Sequence, residues 1–404
     1  MPLMAAQANR PELQLLLACA RLSPDLGRVR DCAAEQLDWD KVVGAAENHG
    51  LTPLLLKNLS LADAKLPGDV QKHLEQNNSR TVRQNLFLTS EMLRALASLR
   101  EAGIEAVPLK GAVLASRIYG DLALRPFSDI DLLIRREQIA DAESVISRLG
   151  YEPEFSIPSA HRERWLQGQC ELTFQRRGIS RLELHWDIAH PHFALETGVD
   201  GFWSRLTSTR IGDANVPDLS EQDLLFALIV HGTRHAWSRL MWLVDVAELL
   251  RASPKIDWKL FSTNIEERSA ARMVATALAL TKNVFTVGVA DEAMNPAYAD
   301  AVAAGLADRV VEHWNTSLDR QDTSDLEPSA LWRHRWILQT RENRAQRWKY
   351  ARRVFSMVGE EEFAGAKLPG AMSSVYRVMR FWNIFRKARA KTPPRQTAAA
   401  QGKN

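Results

Sequence analysis

The stretch from Pro108 to Arg135, PLKGAVLASRIYGDLALRPFSDIDLLIR, constrains this chain most. An extended apolar entry from Val107 to Leu109 meets Lys110-Gly111, and an amphipathic helical run follows from Val113 to about Tyr119. Arg125 and Ser128 then lead into an alternating strand, Asp129-Ile130-Asp131-Leu132-Leu133-Ile134. Strand side chains alternate with period two, so carboxylates at i and i+2 point to the same face. Two like charges held that close repel unless something positive lies between them. A hard divalent cation such as Mg²⁺ meets that need, because it takes oxygen ligands and keeps waters for substrate phosphates. The plainer alternative is a strand end carrying two solvated acids.

The flanks read as a small sheet domain between helical regions. Helical patterns fill Pro11 to about Leu61, with one helix ending at Gly50, a plausible C′ glycine, and another opening at Thr52-Pro53. Pro67-Gly68 breaks the run. A long helix is expected from about Asp69 to Ala102, with Leu86, Leu93, Leu96 and Leu99 on one face. Ile104 to Val107 reads as a strand, and Glu137 to Leu149 as an amphipathic helix closed by Gly150. Two alternating runs, CELTFQR and RLELHWDI, flank Arg177-Gly178 as a hairpin. In the second run Arg181, Glu183, His185 and Asp187 share the polar face. From Ser220, an N-cap with an acidic first turn, the pattern is helical: a run to about Leu250 broken near Gly232 or Trp237, then Trp258–Leu280, Ala297–Trp314 and Ser329–Val358. The divisions expected are a helical region over 1–85, an α/β domain over 86–215, a helical domain over 216–390 and a disordered tail over 391–404.

Length, at 404 residues, allows two or three domains, and a formal charge of +3 does not by itself imply nucleic-acid binding. Cys19, Cys32 and Cys170 are widely spaced and form no CxxC, which fits a reducing compartment. No apolar run reaches the length of a membrane span and no leader pattern opens the chain, so a cytoplasmic location is expected.

Lys110-Gly111, Arg125, Asp129 and Asp131, joined by Glu183 from a later strand, form a constellation suited to two-metal phosphoryl chemistry. The glycine lets backbone approach a ligand, and N–H groups at a helix start suit a phosphate. The pattern L-K-G, about two helical turns, R, then S-D-I-D-L-L-I resembles the nucleotidyltransferase superfamily of DNA polymerase β. Within it, GIEAVPLKG, LELHWDI and HGTRHAWSRLMWLVD resemble the bacterial uncharacterised nucleotidyltransferase family, a resemblance extending to LPGAMSSVYRVMRFW. It implies an α+β fold: a small mixed-sheet, polymerase β-like domain flanked by N-terminal and C-terminal helical regions. It also implies transfer of a nucleoside monophosphate from an NTP, ATP being expected, to a hydroxyl with Mg²⁺ (or Mn²⁺) and release of pyrophosphate. The acceptor stays open among a small molecule, a sugar, a peptide or protein, and RNA, in a setting such as bacterial polysaccharide or peptide biosynthesis. A protein that keeps the fold and binds nucleotide without catalysis is the alternative.

By that resemblance Asp129 and Asp131 hold the metals, Glu183 completes the site and helps deprotonate the acceptor, and Lys110 and Gly111 meet the triphosphate with Arg125 and Ser128 nearby. Ala112 stands where the superfamily often has serine, and the gap from Gly111 to Asp129 is longer than usual. Asp187 is a possible substitute for Glu183. His185 reads either as a donor to phosphate or to a metal-bound carboxylate, or as a histidine bonded to backbone. His231 and His235, an i, i+4 pair, with Arg234, Trp242 and Asp245, read as a polar seam for the nucleotide, with zinc or buried structural polar groups as alternatives. Arg377, Arg380, Arg386, Lys387, Arg389 and Lys391, interleaved with Tyr376, Phe381, Trp382 and Phe385, read as a terminal helix on the core, with nucleic acid as a possible but not favoured partner.

Overall fold

The computed structural model describes residues 10–155, 159–176, 178–252, 256–289, 291–319 and 330–356. The basic segment 376–391 and the tail therefore lie outside the described residues.

Four short helices open the chain: α1 (Pro11–Cys19), α2 (Leu26–Ala33), α3 (Trp39–Asn48) and α4 (Thr52–Leu61). Asp25 and Asp38 cap α2 and α3 by accepting from backbone N–H groups three residues on, which satisfies donors a helix start leaves open. Gly50, at φ 71°, ends α3 as expected, with Leu51 N–H donating back to Ala46 O. The long α5 (Gly68–Glu101) follows. Its buried face is Leu88, Met92, Ala95 and Leu99; Leu86, expected on that face, is 54% exposed. The i, i+4, i+7, i+11 set matches the 3.6-residue period better than one starting two residues earlier.

The five-stranded sheet has the order β1-β2-β5-β4-β3, built from β1 (Ala106–Pro108), β2 (Ile130–Ile134), β3 (Glu152–Pro153), β4 (Glu171–Arg176) and β5 (Ser180–His185). β2 and β5 pair in parallel and every other pairing in the sheet is antiparallel. This is the α+β class, a small mixed sheet with helical flanks. One face, carrying Ile130, Leu132, Leu182 and Leu184, packs in a core with α5, α6 (Ala112–Leu114) and α7 (Ile139–Arg148). The helical run expected to Tyr119 is α-helical only through Leu114; Ala115–Tyr119 is a π-helical turn ended by Gly120 at φ 65°. A short helix, α8 (Ser159–Leu166), precedes β4, and a hairpin, β6 (Thr207–Ile211) with β7 (Ala214–Asp218), was not legible in the sequence.

The C-terminal helices are α9 (Glu221–Arg234), α10 (Leu240–Ala252), α11 (Trp258–Glu267), α12 (Ala271–Phe285), α13 (Asn295–Tyr298), α14 (Ala301–Ser317), α15 (Ala330–Thr340) and α16 (Arg344–Ser356). Three runs expected as single helices are therefore each two, because Ser269 (φ 56°), Asp300 as an N-cap and the segment before Arg344 interrupt them. α9 and α10 are separated by Ala236 and Trp237, at φ 52° and 55°. Trp237 N–H donates to Gly232 O, and the Trp314 and Trp336 indoles donate to the carbonyls of Trp237 and Thr233. Buried indoles with satisfied N–H groups hold an otherwise unfavourable left-handed pair in place. A Cβ at Gly232 would lie 2.4 Å from the Trp237 ring, so the ring packs against bare backbone there.

N-terminal and C-terminal helices share one hydrophobic core. His49 ties them together: its Nδ1 accepts from Leu240 N–H at 3.2 Å and its carbonyl accepts from Met241 N–H at 3.3 Å. Burial lowers the imidazole pKa to about 3, so it stays neutral and the acceptor nitrogen is kept. Among the described residues no helix is long and apolar enough to cross a membrane.

Two stability outcomes follow from these contacts. Gly232→Ala should destabilise the fold by about 1–3 kcal/mol, the usual cost of overpacking, read as a lower urea midpoint. Because His49 binds its proton in the unfolded chain at about pH 6.5 but only near 3 when folded, its contribution is full above 6.5 and lost as pH falls toward 3. His49→Gln should therefore flatten the stability slope between those limits by about 1.4 kcal/mol per pH unit, measured by urea unfolding across that range.

Candidate functional site

The parallel pairing of β2 with β5 sets Asp131 directly beside Glu183, and Leu133 beside His185. Asp129 lies two residues before Asp131 and His185 two residues after Glu183, so the alternation of the two strands collects all four polar groups on the face opposite the apolar core. Lys110, at the end of β1, reaches this cluster because Leu109 N–H donates to Asp131 O and fixes the chain beside β2. Its Nζ lies 3.1 Å from Asp131 Oδ2 and 3.3–3.4 Å from the Asp129 oxygens. Burial opposes the Lys110 charge, but Asp131 and Asp129 outweigh it and raise the pKa, so the ammonium persists.

His185 is buried and lies between acids on both sides. Its Nε2 is 3.2 Å from Asp131 Oδ1 and 3.3 Å from Glu183 Oε2, while Nδ1 is 3.2 Å from Glu171 Oε2. Burial alone would discharge the ring; Glu171, Asp131 and Glu183 reverse that and raise its pKa well above the ordinary value. Burial likewise pushes Glu183 up, but its hydrogen bond to His185 prevails and its pKa is lowered. Glu171 was not singled out in the sequence. It faces His185 across the β4–β5 hairpin because three residues separate the paired Arg176 and Ser180; the two-residue turn expected at Arg177-Gly178 would have set Glu171 opposite Leu184, so the sequence signal pointed one residue away.

Asp187, the alternative to Glu183, does not join the cluster: its carboxylate accepts from Ile188 and Ala189 N–H groups and bends the chain after β5. Arg125 lines the cleft, but its guanidinium is committed to Asp245, with Nε–Oδ1 at 2.9 Å and Nη2–Oδ2 at 2.8 Å. Asp245 also accepts from Tyr119 OH at 2.7 Å. Both expected nucleotide contacts therefore spend their charge on each other. Gly111 adopts φ 70°, ψ −125° ahead of α6, a conformation L side chains rarely take. Ala112 is buried in the sheet core, and Ser128 is exposed at the mouth.

The cleft, about 480 Å³, runs from this cluster to a wall supplied by α9, α10 and the turn between them. α9 ends at Arg234, so His235 stands just past it rather than on the same helical face as His231. The two rings nevertheless lie 4.9 Å apart, and each is about 5 Å from the Trp242 ring. Burial, then the Lys110 charge, lowers the pKa of His231 well below its usual value, so it is neutral. Arg234 and Arg239 also face the cleft.

The donor set fits a hard divalent cation. Ligand atoms of Asp131, Glu183 and His185 lie within 4.8 Å of one another, and buried Asp131 Oδ2 has no hydrogen-bond partner, meeting only the Lys110 ammonium. Carboxylate oxygens from Asp129, Asp131 and Glu183 on one face are the ligand type such ions take.

No curated protein and no solved structure matches the chain. The model of the family described as "Uncharacterised nucleotidyltransferase" matches residues 35–286, from just after α2 through α12. That span ends short of the LPGAMSSVYRVMRFW segment but contains both carboxylate-bearing strands, β2 and β5, Lys110-Gly111 and the α9–α10 wall, and on this match the chain belongs to that family of nucleotidyltransferases.

Proposed function

We propose that the chain transfers a nucleoside monophosphate from an NTP, ATP being the expected donor, to a hydroxyl of an acceptor, releasing pyrophosphate. The observation that carries this is the in-register pair Asp131 and Glu183 on parallel strands, with Asp129 on the same face and Lys110 between the aspartates. Asp129, Asp131 and Glu183 would hold Mg²⁺ (or Mn²⁺), which supplies Lewis-acid activation of the acceptor hydroxyl and charge neutralisation at the phosphates. Lys110, kept charged, is placed to steady the triphosphate beside Gly111. Glu183, held anionic by His185, is the acceptor for the hydroxyl proton. Arg234 and Arg239 add positive charge along the cleft for the leaving pyrophosphate, and neutral His231 with His235 and Trp242 offers ring faces to the base. Arg125 and Asp245 support that wall instead of touching nucleotide.

The test is incubation with each α-³²P-labelled NTP, Mg²⁺ and candidate acceptors or cell extract, following label transfer and pyrophosphate. Asp129→Ala with Asp131→Ala should reduce both to background; transfer that survives the double variant would overturn the assignment. NTP binding by calorimetry with no pyrophosphate under any acceptor would favour the non-catalytic alternative, in which Lys110 permanently neutralises the aspartates. Trp242→Ala should raise the KM for NTP by about 5- to 150-fold, the loss of about 1–3 kcal/mol of base stacking, with a smaller change in kcat.

A further inference from the structure

Behind the carboxylate face, on the far side of His185, Cys170 and Glu171 converge on the ring, two groups that the nucleotidyl-transfer reading does not use. Cys170 Sγ, fully buried, lies 3.3 Å from Glu171 Oε2. Glu171 Oε2 is 3.2 Å from His185 Nδ1, and Glu171 Oε1 is 3.7 Å from His190 Nε2. Ligand atoms of Cys170, Glu171 and His185 all fall within 4.8 Å of one another, while His190 meets the other oxygen of Glu171 and stands outside that group. Arg234 lies beside the group, with Nη2 3.9 Å from Glu171 Oε2 and Nη1 donating to Ile188 O.

The chain builds this convergence deliberately. Trp186 N–H donates to Cys170 O, holding the start of β4 against the end of β5. Asp187 caps the next two N–H groups and turns the chain, which returns His190 to the side of Glu171. One thiol, one carboxylate and one imidazole make a borderline-soft donor set, unlike the all-oxygen set of the catalytic face. Zinc bonds of about 2.0–2.3 Å in a tetrahedron place ligand atoms roughly 3.3–3.8 Å apart, and the two spacings to Glu171 Oε2, 3.3 Å from Cys170 Sγ and 3.2 Å from His185 Nδ1, fall close to that range. His185 Nδ1 is buried without a hydrogen-bond partner.

We propose that Cys170, Glu171 and His185 form a three-ligand site for a transition-metal ion of the zinc type, with water completing the tetrahedron, separate from the Mg²⁺ face. Thiolate and carboxylate supply two negative charges and the imidazole binds neutral, so the charge of a divalent ion is balanced. With Nδ1 on the metal, the His185 ring carries its proton on Nε2 and donates it toward Asp131 and Glu183. A metal-bound histidine whose other nitrogen donates to a carboxylate is the arrangement that fixes tautomer and ring orientation. The ion would thereby position the catalytic carboxylates from behind without touching substrate. Glu171 lines the cleft, which gives the ion an entry path.

The experiment measures zinc in the full-length chain after exhaustive dialysis, by mass spectrometry of the metal, and the absorption of the chain reconstituted with cobalt(II). Expected are about one zinc per chain and a cobalt spectrum with intense tetrahedral ligand-field bands and a thiolate-to-cobalt charge-transfer band. Cys170→Ser should abolish the charge-transfer band and Glu171→Gln should reduce zinc to background, whereas Asp129→Ala should keep both. A wild-type chain without stoichiometric zinc, or with cobalt bands that lack thiolate character, would overturn the site whatever the variants do. So would zinc lost on Asp129→Ala and kept on Cys170→Ser, since the ion would then sit on the catalytic face.

Discussion

The buried pair of Arg125 and Asp245 is the contact on which the cleft depends. Arg125 is 4% exposed and Asp245 1%, so each charge loses its water and is compensated by the other through two parallel hydrogen bonds. Such a pair adds little net stability over well-packed apolar residues, yet losing one partner strands the other at a cost of about 3–5 kcal/mol. What it supplies here is position. Arg125 belongs to the loop that leads into β2, and Asp245 to α10, so the bidentate fork fixes the aspartate strand relative to the aromatic wall. Asn85 secures the same loop from α5, donating to the carbonyls of Leu122 and Arg125 and accepting from Phe127 N–H.

Around that contact the site assembles from elements distant in sequence. β2 brings two aspartates, the β4–β5 hairpin brings Glu171, Glu183 and His185, and α9 and α10 bring the rings. The parallel pairing of β2 with β5 makes Asp131 and Glu183 neighbours, although about fifty residues separate them. The hairpin then makes His185 and Glu171 neighbours for a local reason, the register its tight turn imposes.

The strand pattern explains what the sequence revealed and what it hid. Period-two alternation in SDIDLLI and LELHWDI placed Asp129, Asp131 and Glu183 on faces that could meet, and the resemblance named their superfamily before any geometry. Arg125, expected near the triphosphate, lines the cleft with its guanidinium paired to Asp245; that partner lies 120 residues on, and no local pattern joins the two. The β6–β7 hairpin escaped notice because TSTRI and ANVPD lack a clear apolar alternation; of their ten residues Ile211, Val216 and Asp218 are the buried ones. Helix breaks at Ala236 and Trp237 were partly legible, but their left-handed geometry depends on Trp314 and Trp336, which arrive from remote helices.

Lys110 gives the carboxylate face an internal counterion. A cation entering between Asp129 and Asp131 must displace an ammonium, so its arrival is an exchange of one positive charge for another instead of an addition. The freed ammonium is tethered to the end of β1 and has to find a new anion within reach of its own side chain. A triphosphate lying along Gly111 is such an anion. In the nucleotidyltransferase reading, metal and nucleotide therefore enter this cleft as mutually dependent guests, each leaving the other a better-matched set of charges than it would find alone.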